Sequence, residues 1–160
     1  MTFKTLAVAL AFALSAIVPA AAQTPPPYGP PITLDQAKKV MAGAEAEAAK
    51  NSWTVVITIV DSGGNTVMMH KFDNTQLASI PASAGKAATA LAFKRPSKQL
   101  EDAVAAGGPG LRLVGLKDIW SIEGGIPILI DGKVVGAIGV SGGTGSQDDV
   151  VSLAGAAAFK

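Results

Sequence analysis

A glycine-bracketed hairpin near the C-terminus constrains the fold of this chain more than any other feature. Within residues 124–143, two apolar runs flank Asp131-Gly132. An Asp-Gly pair between strand-like runs favours a type I′ turn, because both central residues must adopt positive φ. Gly136 and Gly139 lie inside the second run, where a glycine often marks a bulge or the close approach of another backbone. These residues are therefore predicted to form one tightly packed β-hairpin.

The first 22 residues have the pattern of a secretory signal peptide. Lys4 gives a positive start, an apolar run follows over residues 6–18, and three alanines precede Gln23 as a small-residue cleavage site. The alternative is an N-terminal membrane anchor, although the run is short for a span. We predict a periplasmic or secreted protein with no stable membrane insertion after cleavage, a proline-rich leader over residues 23–32 and one domain over 33–160.

The composition excludes several classes of function. The formal net charge is +1 and Lys4 supplies one positive charge, so the rest of the chain is near neutral and no nucleic-acid partner is expected. The chain has no cysteine and one histidine, which excludes disulfides and His/Cys metal clusters. A small domain rich in alanine and glycine has a limited core, so burial at subunit contacts is expected and a homo-oligomer is predicted.

The remaining patterns predict alternating helices and strands. Thr33 and Gln36 have the spacing of a capping box at the start of a helix over residues 34–50. Further along are two strands (54–60 and 66–72), helices over 79–93 and 97–106, a short strand at 119–122 and a last helix. Ser79 (followed by Pro81) and Ser146 are the predicted caps. The order predicts an α+β fold with about five antiparallel strands covered by helices.

Four segments in the same order resemble one known family. They are the hairpin at 124–142, the turn at 60–65, the helix at 85–93 and the helix start at 147–149, and they resemble the GlcG/HbpS-like family, also called the haem-degrading-domain family. The resemblance covers about residues 33–159. It implies a profilin-like fold of α/β/α layers and dimers or larger homo-oligomers. Some members bind haem, some are related to corrinoid-handling proteins, and many have no known activity.

His70 is the first candidate cofactor residue. On the strand at 66–72, alternation puts Met68, His70 and Phe72 on one face. Histidine and methionine are axial ligands of haem iron, and an apolar neighbour could wall the ring. The alternatives are a partly exposed strand histidine without a ligand role, and methionines that fill gaps in the core.

Lys86 and Ser97 are candidates through the family resemblance. Lys86 matches a basic position in the family helix and could pair with a carboxylate or with a haem propionate; otherwise it is a solvated helix lysine. Ser97 matches a hydroxyl that the family associates with haem coordination; otherwise it is the N-cap of the next helix. The predicted cofactor-binding residues are therefore His70, Lys86 and Ser97, with His70 on the iron.

These observations favour a binding protein over an enzyme. The leading hypothesis is a homo-oligomer that binds haem or a related tetrapyrrole in uptake, sensing or degradation. Haem degradation is the enzymatic version of this hypothesis, and it needs an open iron position and a reductant. The alternatives are a homo-oligomeric interaction module without a cofactor, and a binder or enzyme for a small organic acid.

Overall fold

The computed structural model describes residues 24–158, so the predicted signal peptide lies outside the described residues. Four helices and four strands follow one another along this part of the chain. They are α1 (Leu34–Lys50), β1 (Val56–Asp61), β2 (Thr66–Lys71), α2 (Ser79–Phe93), α3 (Lys98–Ala105), β3 (Gly125–Ile130), β4 (Lys133–Ser141) and α4 (Gly145–Ala157). A 3₁₀ segment over Gly108–Gly115 lies between α3 and β3. No helix within residues 24–158 combines the length and the apolar character needed to span a membrane.

The strands form one antiparallel sheet in the order β2-β1-β4-β3. Helices α1 and α4 pack on one face, and α2 packs on the other. Ile57 and Ile59 of β1 face α1 in the main core, whereas the intervening Thr58 hydrogen-bonds to Ser83 of α2 (Oγ1–Oγ 2.8 Å). This alternation produces the predicted α/β/α layering, because successive side chains on a strand point to opposite faces.

The sheet has four strands rather than about five, and the difference lies at residues 119–122. This segment forms no strand, because side chains of α2 and of the linker before α3 take its backbone hydrogen bonds. Thr89 Oγ1 accepts from Trp120 N (2.9 Å), and Ser97 Oγ donates to Ile122 O (2.6 Å). Trp120 packs where a β-carbon on Gly85 of α2 would lie. The segment therefore lies along the helices instead of extending the sheet.

The hairpin of β3 and β4 is confirmed. Asp131 and Gly132 have φ of 49° and 72°, as a type I′ turn requires. A side chain on Gly139 would overlap the backbone of Ser83 and Ala87 in α2. The glycine inside β4 is thus needed for the close approach of α2 to the sheet.

Capping was predicted correctly for one helix and wrongly for two. In α1, Thr33 Oγ1 accepts from Gln36 N and the Gln36 side chain accepts from Thr33 N. Ser79 is not a cap, because it lies inside α2 and is hydrogen-bonded to Ser141 (Oγ–Oγ 3.3 Å). Helix α4 is capped by Thr144 and not by Ser146. Thr144 forms a capping box with Gln147, which follows it by the three residues that the box requires.

The proline-rich leader lies along β4, beyond the end of β1. Pro27 O accepts from Val134 N (2.9 Å), and Gly29 N donates to Val134 O (2.8 Å). Tyr28 forms an isolated parallel bridge with the same residue, and its hydroxyl donates to Leu91 O (3.0 Å). The leader is therefore fixed both to the sheet and to the C-terminal end of α2.

Candidate functional site

Lys86 lies in a buried ion pair at the start of β3. Its ammonium donates to Asp148 Oδ2 of α4 (2.8 Å) and to Val140 O of β4 (2.9 Å). Both side chains are only 3% exposed. Asp148 also accepts from Gly143 N (2.9 Å). The predicted pairing of Lys86 with a carboxylate is confirmed, and the alternative of a solvated lysine is wrong because α2 packs its polar end between β4 and α4.

Ser97 joins the linker before α3 to the same end of β3. Its hydroxyl accepts from Gly125 N (2.9 Å) and donates to Ile122 O (2.6 Å), while its backbone N–H donates to Gly125 O (2.9 Å). Ser97 is the N-cap residue of α3, as the alternative expected, but its side chain makes no cap hydrogen bond to the helix. Ser97 is fully buried and braces the first residue of β3 against the helical layer.

His70 lies on the outer strand β2, on the face that carries α1. Its Nδ1 is 2.5 Å from Glu45 Oε1 of α1, and the two side chains are 49% and 37% exposed. Met68 of β2 and Phe72, just after the strand, pack against the core, as the core alternative expected for Met68. No hydrogen bond within residues 24–158 involves His70 Nε2, so this nitrogen is open to a ligand.

The structure brings Lys86 and Ser97 together but not His70. A side chain on Gly125 would overlap the Lys86 backbone and lie 2.9 Å from Ser97 Oγ, so both residues adjoin the start of β3. His70 is on β2, and β2 and β3 are the two outer strands. The haem contacts predicted for Lys86 and Ser97 stay predictions; in this structure protein groups already occupy both polar ends.

Two polar partners were missed in the sequence. Asp148 lies at the predicted start of the last helix, and its role opposite Lys86 has no local signal because the two residues are 62 positions apart. Glu45 lies within the predicted first helix and was not singled out. Its position on α1 could be matched to His70 only once the packing of α1 on β2 was known.

Two carboxylates accept backbone hydrogen bonds where the chain enters β3. Glu101 Oε2 accepts from Glu123 N (2.7 Å), and Asp149 Oδ1 accepts from Gly124 N (3.3 Å). Desolvation raises the pKa of Asp149 above its ordinary 3.8, and the Gly124 hydrogen bond and the charges of Lys98 and Lys86 offset only part of this effect.

The described residues contain no group of three or more His, Asp or Glu side chains that could hold a metal ion.

A groove of about 590 Å³ lies at the outer edge of β3. Leader prolines form one wall, and Pro127 and Leu129 of β3 form another. Lys94 and Arg95 lie at its lining, at the end of α2. The groove therefore combines apolar walls with two cationic side chains, at the opposite edge of the sheet from His70.

Among the predicted site residues, only His70 has the surroundings of a haem-iron ligand. A histidine that binds metal usually engages a carboxylate or carbonyl through its other ring nitrogen, which fixes the tautomer and the ring orientation. His70 has this arrangement with Glu45. Lys86 and Ser97 are buried at 3% and 0% exposure and could reach a ligand only if the start of β3 moved.

Comparison with known proteins gives a consistent assignment. Residues 32–157 match the family described as haem degrading protein HbpS-like. An uncharacterized 15.0 kDa protein from the dhaT-dhaS intergenic region of Citrobacter freundii is 40% identical over 123 residues, which cover 76% of this chain and 87% of that protein.

Two solved structures share the fold. The Klebsiella pneumoniae protein ORFY has a TM-score of 0.75 at 31% identity, covering 89% of this chain and 97% of its own. A PduOC:heme complex has a TM-score of 0.73 at 26% identity, covering 80% and 94%. Because the family match spans nearly all of the described residues and the first relative is matched over most of its length, this chain belongs to the HbpS-like family.

Proposed function

We propose that this protein binds haem, or a related tetrapyrrole, with His70 as a ligand of the iron. The His70–Glu45 pair carries the proposal, because it holds the imidazole through Nδ1 and leaves Nε2 directed away from that partner. Family membership and the haem bound by the related PduOC structure support it. Bound haem would supply an iron centre whose properties depend on the axial ligand and its surroundings.

Glu45 is proposed to set the orientation and the tautomer of His70. A carboxylate that accepts from Nδ1–H stabilises the tautomer in which Nε2 has a free lone pair, and this is the form that binds a metal. Both groups are on rigid elements, with Glu45 within α1 and His70 paired to Ile57 across β1 and β2. This support reduces the conformational freedom that the imidazole would lose on ligation.

Lys86 and Ser97 are proposed to support the fold around β3 and not to contact the ring. Each already has two or more protein partners, so a contact with haem would leave buried polar groups of the protein unpaired. Such groups are costly, at roughly 1–3 kcal/mol each. Binding is therefore expected to survive changes at these positions in any variant that still folds.

Haemin titration of the purified protein tests the iron ligand. We expect saturable binding with a shifted Soret band, and a change of both band position and affinity in His70→Ala. The matched control is Met69→Ala, which alters the neighbouring residue on the opposite face of β2. An unchanged spectrum and affinity in His70→Ala would remove His70 from the site, and equal losses in both variants would point to a general effect on β2.

A homo-oligomeric interaction module is the second candidate function. Four large apolar side chains between α3 and β3 are strongly exposed in the single chain, and exposed apolar clusters mark interaction sites. They are Leu111 at 56%, Val114 at 70%, Leu116 at 46% and Ile122 at 42%. We propose that a second copy covers them.

Sedimentation of the purified protein tests this role and should give a mass above that of one chain. The double variant Leu111→Ser with Val114→Ser should have a lower mass. A monomeric parent protein would exclude this role.

We further propose export to the periplasm or the outside of the cell. The support is the charged, apolar and small-residue order of residues 1–22. Mass spectrometry of the protein isolated from its native host tests it. A mature chain that begins at Gln23 is the expected result, and an intact N-terminus on protein found only inside the cell would contradict the proposal.

A further inference from the structure

We propose that the groove at the outer edge of β3 is a second binding site, for a small amphipathic carboxylate such as a medium-chain alkyl carboxylate. It is separate from the proposed haem contact, since β3 and β2 are opposite edges of the sheet. Its volume of about 590 Å³ lies within the usual range for small-molecule sites, roughly 300–1,000 Å³.

The walls of the groove are apolar and fixed on both sides. Pro25 and Pro26 form the leader side, and Pro127 and Leu129 form the sheet side. The leader is held by the hydrogen bonds of Pro27 and Gly29 to Val134. Leu129 is 45% exposed, which leaves apolar surface on this edge available to an alkyl chain.

The charge of the groove is one-sided. Lys94 and Arg95 contribute two cations to the lining, and none of the described lining residues is acidic. Neither cation has a carboxylate within 4.0 Å in residues 24–158. Arg95 uses Nε to donate to Phe93 O (3.2 Å), which leaves its terminal nitrogens for an anion. A carboxylate suits this planar donor group, because it can accept two parallel hydrogen bonds.

The backbone at Lys94 is an unusual position for a lysine. Lys94 is the C-cap of α2 in the left-handed region, with φ 54° and ψ 36°, where glycine is the residue normally preferred. Its ammonium lies 4.2 Å from the centroid of the Tyr28 ring. A glycine would relieve the backbone but remove this charge from the groove. The lysine therefore costs conformational energy and places a cation beside the leader.

An amphipathic anion satisfies both halves of the groove at once. Its carboxylate would lie at Lys94 and Arg95, and its chain would cover the leader prolines and Leu129. A purely polar anion would leave the apolar walls exposed to water, and a neutral chain would leave both cations without a carboxylate partner. Both comparisons can be made with ligands of matched shape.

Calorimetric titration with decanoate, below its micelle-forming concentration, tests the site. We expect saturable binding that weakens with added salt, at least tenfold weaker binding of 1-decanol, and no detectable binding of acetate at the same concentrations. Amide NMR shifts should change most at Lys94, Arg95 and Leu129. Equal binding of decanoate and decanol, or shift changes confined to other surfaces, would overturn the proposal.

The variants separate charge from folding. Lys94→Gly removes the ammonium while favouring the observed backbone, and Arg95→Gln removes the second charge while keeping an amide donor. Together they should weaken decanoate binding at least tenfold with no loss of thermal stability. Lys38→Gln, a single charge removed from the surface of α1, is the control and should bind normally. Unchanged affinity in the double variant would overturn the site.

One further variant keeps this inference distinct from the haem proposal. His70→Ala should leave decanoate binding intact, because His70 is on the other outer strand. If His70→Ala abolished decanoate binding, the carboxylate site would be wrongly located. If only the haemin spectrum changed, the two sites would be independent, as proposed.

Discussion

Two side-chain pairs of this small domain show opposite solutions to the placement of polar groups. Lys86 and Asp148 are 3% exposed and fully enclosed by α2, β4 and α4. The side chains of His70 on β2 and Glu45 on α1 are 49% and 37% exposed. The first pair has further hydrogen bonds to Val140 O and Gly143 N. The second has none at His70 Nε2 in the described residues.

The contrast in burial distinguishes the pair that supports the fold from the pair that is free for a ligand. A buried pair must satisfy all its polar atoms within the protein, because water is excluded from them. An exposed pair exchanges readily with solvent and adds little stability. Polar residues that look functional in the sequence can thus belong to the framework, while a half-exposed histidine with a fixed partner keeps an open coordination position.

The largest effect is expected from removing one half of the buried pair. Lys86→Met leaves Asp148 charged and without its cation, so the free energy of unfolding should fall by about 3–5 kcal/mol. Adding Asp148→Leu should recover part of that loss, because the buried charge is then removed. Urea unfolding measures both, and a loss below about 1 kcal/mol for Lys86→Met would mean that the pair is solvated.

A smaller loss is expected at Ser97. Ser97→Ala leaves Gly125 N and Ile122 O without their side-chain partner, at a cost of about 1–3 kcal/mol. The control is Ser146→Ala on the exposed start of α4, expected within about 0.5 kcal/mol. The same denaturation experiment serves both. Equal stabilities of the two variants would show that Ser97 does not brace β3.

Glu45→Gln separates ligand affinity from stability. The exposed pair should contribute only about 0–1 kcal/mol to unfolding, so the variant is expected to fold normally. If Glu45 orients His70 as a metal ligand, haemin affinity should fall roughly 10–100-fold. Chemical denaturation and haemin titration of the same preparation test the two halves. A large loss of stability with unchanged haemin affinity would reverse the comparison between the two pairs.

The smallest effect is a pH dependence at Asp149. Desolvation raises the pKa of this carboxyl in the folded state above its ordinary 3.8. Between the unfolded and the folded pKa, the folded state therefore binds more protons than the unfolded chain. The contribution of Asp149 to stability therefore falls as pH rises through that window. Asp149→Asn should be slightly more stable than the parent above the window and equal to it below.

Thermal unfolding across that pH range checks this expectation. The amide oxygen of the asparagine can still accept from Gly124 N, so the hydrogen bond is preserved. Asp73→Asn, at an exposed position away from the start of β3, is the control for the loss of one negative charge. A variant that is less stable than the parent above the window would mean that the charged form of Asp149 is favoured by its surroundings.

The local elements of the fold were largely predictable. The bounds of α1 and its capping box follow from Thr33, Gln36 and the apolar spacing, and the Asp131-Gly132 turn has the predicted backbone. These features depend on residues a few positions apart. The prediction of a short strand at 119–122 was wrong, because the backbone of this segment hydrogen-bonds to the side chains of Thr89 and Ser97. No local sequence pattern indicates these distant partners.

From the sequence alone, periodicity and turn chemistry predict an α+β fold, and strand alternation singles out His70, because these are local properties. The order of four motifs indicates the family, and that resemblance implies the α/β/α layers and the candidates Lys86 and Ser97. Only the tertiary structure decided which of them is buried, which partner each has, and that β2 and β3 form opposite edges. Lys86 meets Asp148 across 62 positions and His70 meets Glu45 across 25. Burial and pairing at such separations depend on how helices pack on the sheet, which sets the dielectric surroundings and hence the role of each charge.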